Sequence, residues 1–160
     1  MNQLMKKGIL IGFSVVLLSL ACNKDKFETK PTLKFKSQNG NLFANNQDGL
    51  VVELEFTDKE GDVSDTIFVK KIRVNQRQPV STLRDSFKLK VPEFPGDTKG
   101  IIKVTMDYQN YLISANPPLP MLGNPTQKEP DTLMIKFALK DKGNHISDTV
   151  TVGPIYVIRF

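Results

Sequence analysis

Four carboxylates stand within eight residues of this chain: Asp58, Glu60, Asp62 and Asp65, in the stretch DKEGDVSD. Oxygen ligands from alternating acids in a turn are what calcium takes. Such a loop either converges on one cation or stands as a solvated acidic hairpin, and both readings are open. The order is not that of an EF-hand, in which glycine comes sixth. Histidine occurs once, at His145, with Asp141 and Asp148 near it in sequence. Without a second histidine or a nearby cysteine it lacks the ligand set of a transition-metal site, so an exposed turn residue is expected.

Nucleophilic and phosphoryl chemistry find no carrier. The chain has no G-x-S-x-G elbow, no glycine-rich phosphate loop and no Cys/His pair after residue 22. A non-enzyme is expected. A hydrolase on a jelly-roll-like sandwich would need paired carboxylates on a concave face, and no sequence feature pairs them.

The only cysteine, Cys22, closes a different kind of motif. Lys6 and Lys7 precede an apolar run from Ile9 to Ala21, which ends in small residues at the cysteine. That is a charged n-region, a short h-region and a cleavage site. The run is shorter than the roughly 20 residues a spanning helix needs. Leu18-Ser19-Leu20-Ala21-Cys22 resembles the lipobox of bacterial lipoproteins, with Ser19 where that family usually carries leucine. The resemblance implies a diacylated Cys22 thiol, a cut before it and an acylated new N-terminus. Ser19-x-Ala21 also fits an ordinary secretory cleavage site, which would leave a soluble protein with a free thiol. Lipid on Cys22 separates the two. Several acyl chains hold firmly where one holds marginally.

Residues 22–31 are charged and poor in apolar side chains, and read as a tether. Lys24-Asp25 weakly resembles the lysine-acid signals that send some Bacteroidota-type lipoproteins to the cell surface; a solvated linker is the plainer reading. The whole chain carries 22 basic and 17 acidic side chains; losing Lys6 and Lys7 leaves a formal +3 on the mature protein. A nucleic-acid footprint is strongly basic and clustered, so no nucleic-acid partner is expected.

Residues 32–160 are one domain's worth of chain and must fold without a disulfide. Leu33 and Phe35 alternate with lysines and are expected on one inward face; apolar and polar residues alternate at 50–56, 87–91, 102–108 and 133–139, β-branched residues fill 67–74, and strands at 149–152 and 155–160 close the chain. Turn pairs punctuate them: Asn39-Gly40, Asp48-Gly49, Pro95-Gly96, Gly143-Asn144 and Gly153-Pro154. The pattern predicts an all-β, antiparallel sandwich of about seven or eight strands. Residues 116–131 carry five prolines and read as one long loop. Leu119, Met121 and Leu122 have no strand pattern there to bury them. They are either contacts held out for a partner or a plug over one end of the sandwich.

One frame is used twice. FTDKEGDVSDTIFV, residues 56–69, aligns without gaps to LKDKGNHISDTVTV, residues 139–152, at a constant offset of 83. The shared frame reads as strand, polar loop, strand. Asp58 or Asp141 is expected to bond backbone two residues on, Gly61 or Gly143 to supply positive φ, and Val63 or Ile146 to tuck under the sheet. Phe56–Asp62 resembles the F-x-D-x-x-G-D segment of uncharacterised Bacteroidota-type lipoproteins, and residues 141–147 resemble their D-x-x-G-N-x-S segment, with Gly143 one position early. The resemblance implies an immunoglobulin-like or cadherin-like sandwich and carries no activity. The expectation is a lipid-anchored outer-membrane module that binds a protein or serves structurally. A carbohydrate- or peptide-binding accessory of an uptake system is the alternative.

Overall fold

A computed structural model describes residues 29–45, 49–63, 65–77 and 85–159. The export segment, Cys22 and most of the tether lie outside these residues. The chain is mostly β. In order it forms β1 (Thr32–Gln38), β2 (Leu42–Phe43), β3 (Leu50–Thr57), β4 (Thr66–Arg73), β5 (Ser86–Lys90), β6 (Lys99–Met106), β7 (Pro120–Met121), β8 (Asn124–Lys128), β9 (Asp131–Lys140) and β10 (Val150–Val157). No helix among the described residues is long and apolar enough to cross a membrane.

Three strands make one sheet in the order β1-β3-β6, and five make another in the order β2-β10-β9-β4-β5. All pairings within them are antiparallel except β2 with β10. Period-two alternation decides which side chains go inward. In β3, Leu50, Val52, Leu54 and Phe56 are buried while Val51, Glu53 and Glu55 are only partly so. In β9, Leu133, Ile135, Phe137 and Leu139 are buried. The inward residues of both sheets belong to one hydrophobic cluster.

Three local expectations are corrected. Phe35 shares a face with Leu33, opposite Leu54 and Phe56, yet on this edge strand it is exposed rather than buried; the register of β1 shifts only beyond it. The apolar alternation at 102–108 does not run to its end as strand. After Met106 the chain turns through one π-helical turn, Tyr108–Leu112, because the Asp107 carboxylate accepts the Asn110 N–H at 2.8 Å and caps it. That bond holds the Asp107 carboxyl below its usual range. Residues 116–131 are not one loop either: β7 and β8 form a hairpin. Gly123, at φ +78, closes its turn, and the Asn124 side chain accepts from the Thr126 hydroxyl at 2.7 Å.

The inward row of β4 changes character along its length. Ile67 and Val69 are buried core; Lys71 and Arg73, next on the same face, are buried too. Each polar residue in this row meets the long crossover from β6 to β9. Lys71 donates to the Tyr111 carbonyl and, at 3.3 Å, to that of Ile113. Arg73 donates to the Asn116 carbonyl at 2.5 Å and the Ser114 hydroxyl at 3.3 Å. Asn75 donates to the Pro130 carbonyl at 2.8 Å and accepts from the Thr132 N–H at 2.9 Å. Arg77 donates to Glu129 at 2.8 Å and to the Pro120 carbonyl. Four side chains at period two thus tie the crossover down.

Candidate functional site

The two copies of the repeated frame come together. Thr66 at the start of β4 lies opposite Lys140 at the end of β9, so the β3–β4 loop and the β9–β10 loop emerge side by side. Asp62 joins them: its carbonyl accepts the Lys142 N–H at 3.3 Å and its carboxylate accepts the Gly143 N–H at 3.1 Å.

Each copy is built on a buried aspartate. Asp58 accepts the Asp62 N–H at 3.0 Å, and Asp141 accepts the His145 N–H at 2.8 Å. In both loops the reach is four residues. The expected two-residue bond survives only as a long Asp58–Glu60 contact of 3.5 Å. Positive φ sits at Gly61 (φ 67) in the first copy but at Asn144 (φ 69), not Gly143, in the second. A Cβ on Gly61 would also meet the backbone of Gly96 at 3.0 Å. Val63 is buried as expected, whereas Ile146 is half exposed because it bridges to Lys140 at the sheet end.

Of the four carboxylates in the first loop, the fold brings Asp58 and Asp62 together with Asp141 from the second, their oxygens within 4.8 Å of one another. Glu60 joins Asp141 and His145 instead. The His145 Nδ1 lies 3.2 Å from Asp141 and 3.9 Å from Glu60. Asp65 leaves the group and pairs with Lys140 at 2.9 Å; that bond pulls its carboxyl below the ordinary range. Asp62 is pushed the other way. Burial raises its pKa first, and the neighbouring Asp58 and Asp141 add to the rise against the Gly143 N–H. One Asp62 oxygen is buried without a hydrogen-bond partner. Chemically, three clustered carboxylates hold either a cation or a proton.

The hairpin places Leu122 at its tip, 81% exposed, and Met121 41% exposed, while Leu119 is half-buried. Leu122 borders a groove of about 550 Å³ shared with Val74, Arg77, Glu129 and Tyr156. The apolar residue the hairpin base does bury is Pro118.

A buried charge cluster went unpredicted. Arg73 Nε lies 2.5 Å from Asp131, both side chains almost wholly inaccessible, and Arg159 approaches the same carboxylate at 3.6 Å. Burial drives the Asp131 carboxyl upward against the pull of Arg73, Arg159 and Lys71. Burial likewise lowers the Lys71 ammonium, opposed by Asp85 at 3.3 Å. The signal was in the parity of the residues: Lys71 and Arg73 are in phase with Ile67 and Val69, and Asp131 with Leu133 and Ile135.

No protein-family model and no curated protein matches the sequence. Among solved structures the chain is similar to Spo0M, a sporulation control protein from Bacillus subtilis, at 10% identity and a TM-score of 0.41. The match covers 82% of this chain and spans half of that one.

Proposed function

We propose that the chain is a lipid-anchored, non-catalytic module of the cell envelope: an immunoglobulin-like sandwich, held at the outer membrane through Cys22, that offers the β7–β8 hairpin to a protein partner. The observation that carries the reading is the placement of Leu122, four-fifths exposed at the tip of a hairpin whose base is fixed by Arg77 and Glu129. A stiff element presents apolar side chains at low entropic cost, and exposed apolar tips of this kind serve contact better than solubility. The strand orders support the immunoglobulin-like reading. β1, β3 and β6 stand in the relation A-B-E, and β10, β9, β4 and β5 in the relation G-F-C-C′. Lys6, Lys7 and the lipobox-like stretch ending at Cys22 support the anchor.

Two measurements test this. Cys22→Ala should move the protein from the membrane to the soluble fraction, and intact mass of the wild-type N-terminus should show acyl chains; an unmodified Cys22 overturns the anchor. A photo-crosslinking residue at position 122 should give one discrete adduct in intact cells, while the Met121→Ser/Leu122→Ser variant keeps its stability within about 1 kcal/mol. A collapse of stability without any adduct would make the hairpin part of the core packing and end the contact reading.

A further inference from the structure

The two sheets dispose of surface charge differently. On the outer face of the three-stranded sheet two glutamates serve four lysines: Lys99 pairs with Glu55 at 3.2 Å and Lys36 with Glu53 at 3.8 Å, while Lys34 and Lys103 stand directly opposite the same two carboxylates. On the outer face of the five-stranded sheet, Lys70, Lys88, Lys90 and Lys136 are all exposed. Among the described residues no carboxylate forms an ion pair with any of the four; Asp65, at the edge of the face, is taken by Lys140. Four ammonium groups without an ion-pair partner thus share one face.

Register fixes the pattern. Phe68 of β4 stands between Lys88 of β5 and Ala138 of β9. One row along, Lys70 stands between Ser86 and Lys136. Rows on one face lie about 7 Å apart and directly opposed side chains about 5 Å. Lys70 facing Lys136 is a like-charge pair, which costs stability in a sheet. Between these lysines the surface dips into a cavity of about 440 Å³, within the range of small-ligand sites, floored by Phe68 and Ala138 and walled by lysine stems. The Lys88 ammonium sits over the Phe68 ring, 5.3 Å from its centre.

We propose that this face binds an acidic oligosaccharide, with uronate or sulfate groups on Lys70, Lys88 and Lys136 and a sugar ring over Phe68 and Ala138. Unpaired ammonium groups around a concave apolar floor fit a ligand that is anionic at its edges and apolar on its ring faces. An anionic bilayer would instead meet apolar side chains that project into it. Here Phe68 lies half-buried below the lysines, while the projecting Leu122 and Tyr156 belong to the other end of the sheet. The face carries no arginine from its strands, which a nucleic-acid surface would favour. The proposal goes beyond the hairpin-contact reading and needs neither the lipid on Cys22 nor a protein partner.

The test is calorimetric titration of the full-length protein, purified in neutral detergent, with a size-defined heparin octasaccharide at low and physiological salt. The expected result is binding that weakens with salt. Lys70→Ala/Lys136→Ala should weaken it by about tenfold or more, with a shallower salt dependence. The same variant should melt at or above the wild-type temperature, since a like-charge pair is gone. Phe68→Ala should weaken binding at fixed salt, and Lys103→Ala, on the outer face of the other sheet, should leave it unchanged. Absence of binding at low salt overturns the proposal. So does binding that ignores Phe68→Ala and is matched by phosphatidylglycerol vesicles or single-stranded DNA, which would make the face a general cationic surface.

Discussion

Asp62 joins the two copies of the repeat, and its protonation is tuned by them. Its folded pKa is raised by burial and by Asp58 and Asp141, so the native state holds the proton to higher pH than the unfolded chain does. The contribution of this group to stability is therefore greatest below about pH 3.8, declines as pH rises through the folded pKa, and is lowest above it. Asp62→Asn keeps the shape and removes the charge. In chelator-containing buffer at pH 7 it should raise the urea midpoint, and the advantage should vanish at low pH. A calcium ion among Asp58, Asp62 and Asp141 would invert this: millimolar calcium would raise the wild-type melting temperature and not that of Asp62→Asn. The carboxylates of the first loop were legible in the sequence, but their grouping was not. Spacing within one loop set Asp65 beside Asp62; the β4–β9 register replaces it with Asp141 and gives Asp65 to Lys140.

At the scale of elements, β4 is the strand on which the rest depends. Its inward row is half apolar and half ionic, and the ionic half holds the crossover that carries the hairpin. Asp131→Asn leaves Arg73 and Arg159 buried without their counter-charge and should cost about 3–5 kcal/mol in a denaturant melt. Replacing the pair together, as Arg73→Met/Asp131→Leu, should cost clearly less than the two single changes summed, because no orphaned charge remains; full additivity would contradict a coupled pair. Alternation made most strands readable: the apolar stretch at 50–56 became β3 and that at 133–139 became β9. It misled where polar residues take core positions. Lys71, Arg73 and Asp131 are in phase with the core, but a phase rule built on apolar residues passes over them. The β7–β8 hairpin was hidden for the opposite reason. Two-residue β7 is too short to show alternation, and its prolines read as loop.

Across the whole molecule, net charge concealed more than it told. The formal +5 of the sequence looks evenly spread along it, because lysines alternate with apolar residues in most strands. Folding sorts them by face, setting those of one sheet around Glu53 and Glu55 and leaving Lys70, Lys88, Lys90 and Lys136 of the other without an ion pair among the described residues. Sequence distance carries no trace of that sorting; register does.

The four-rung polar ladder of Lys71, Arg73, Asn75 and Arg77 has a consequence for how the protein breathes. A long connection between strands ordinarily opens by itself, exchanging its amides with solvent while the sheets stay closed. Here the rungs reach Tyr111, Asn116, Pro130 and Glu129, so the connection is fastened along its length to a central strand. The amide hydrogen of Ile113, within the connection, should exchange only through the same opening event as those of β4 and β9. Arg73→Met should release Ile113 into a faster, local class and leave Leu139, at the far end of β9, in the slow one. Equal acceleration at Ile113 and Leu139 would mean that the connection and the sheets were never separable units of motion.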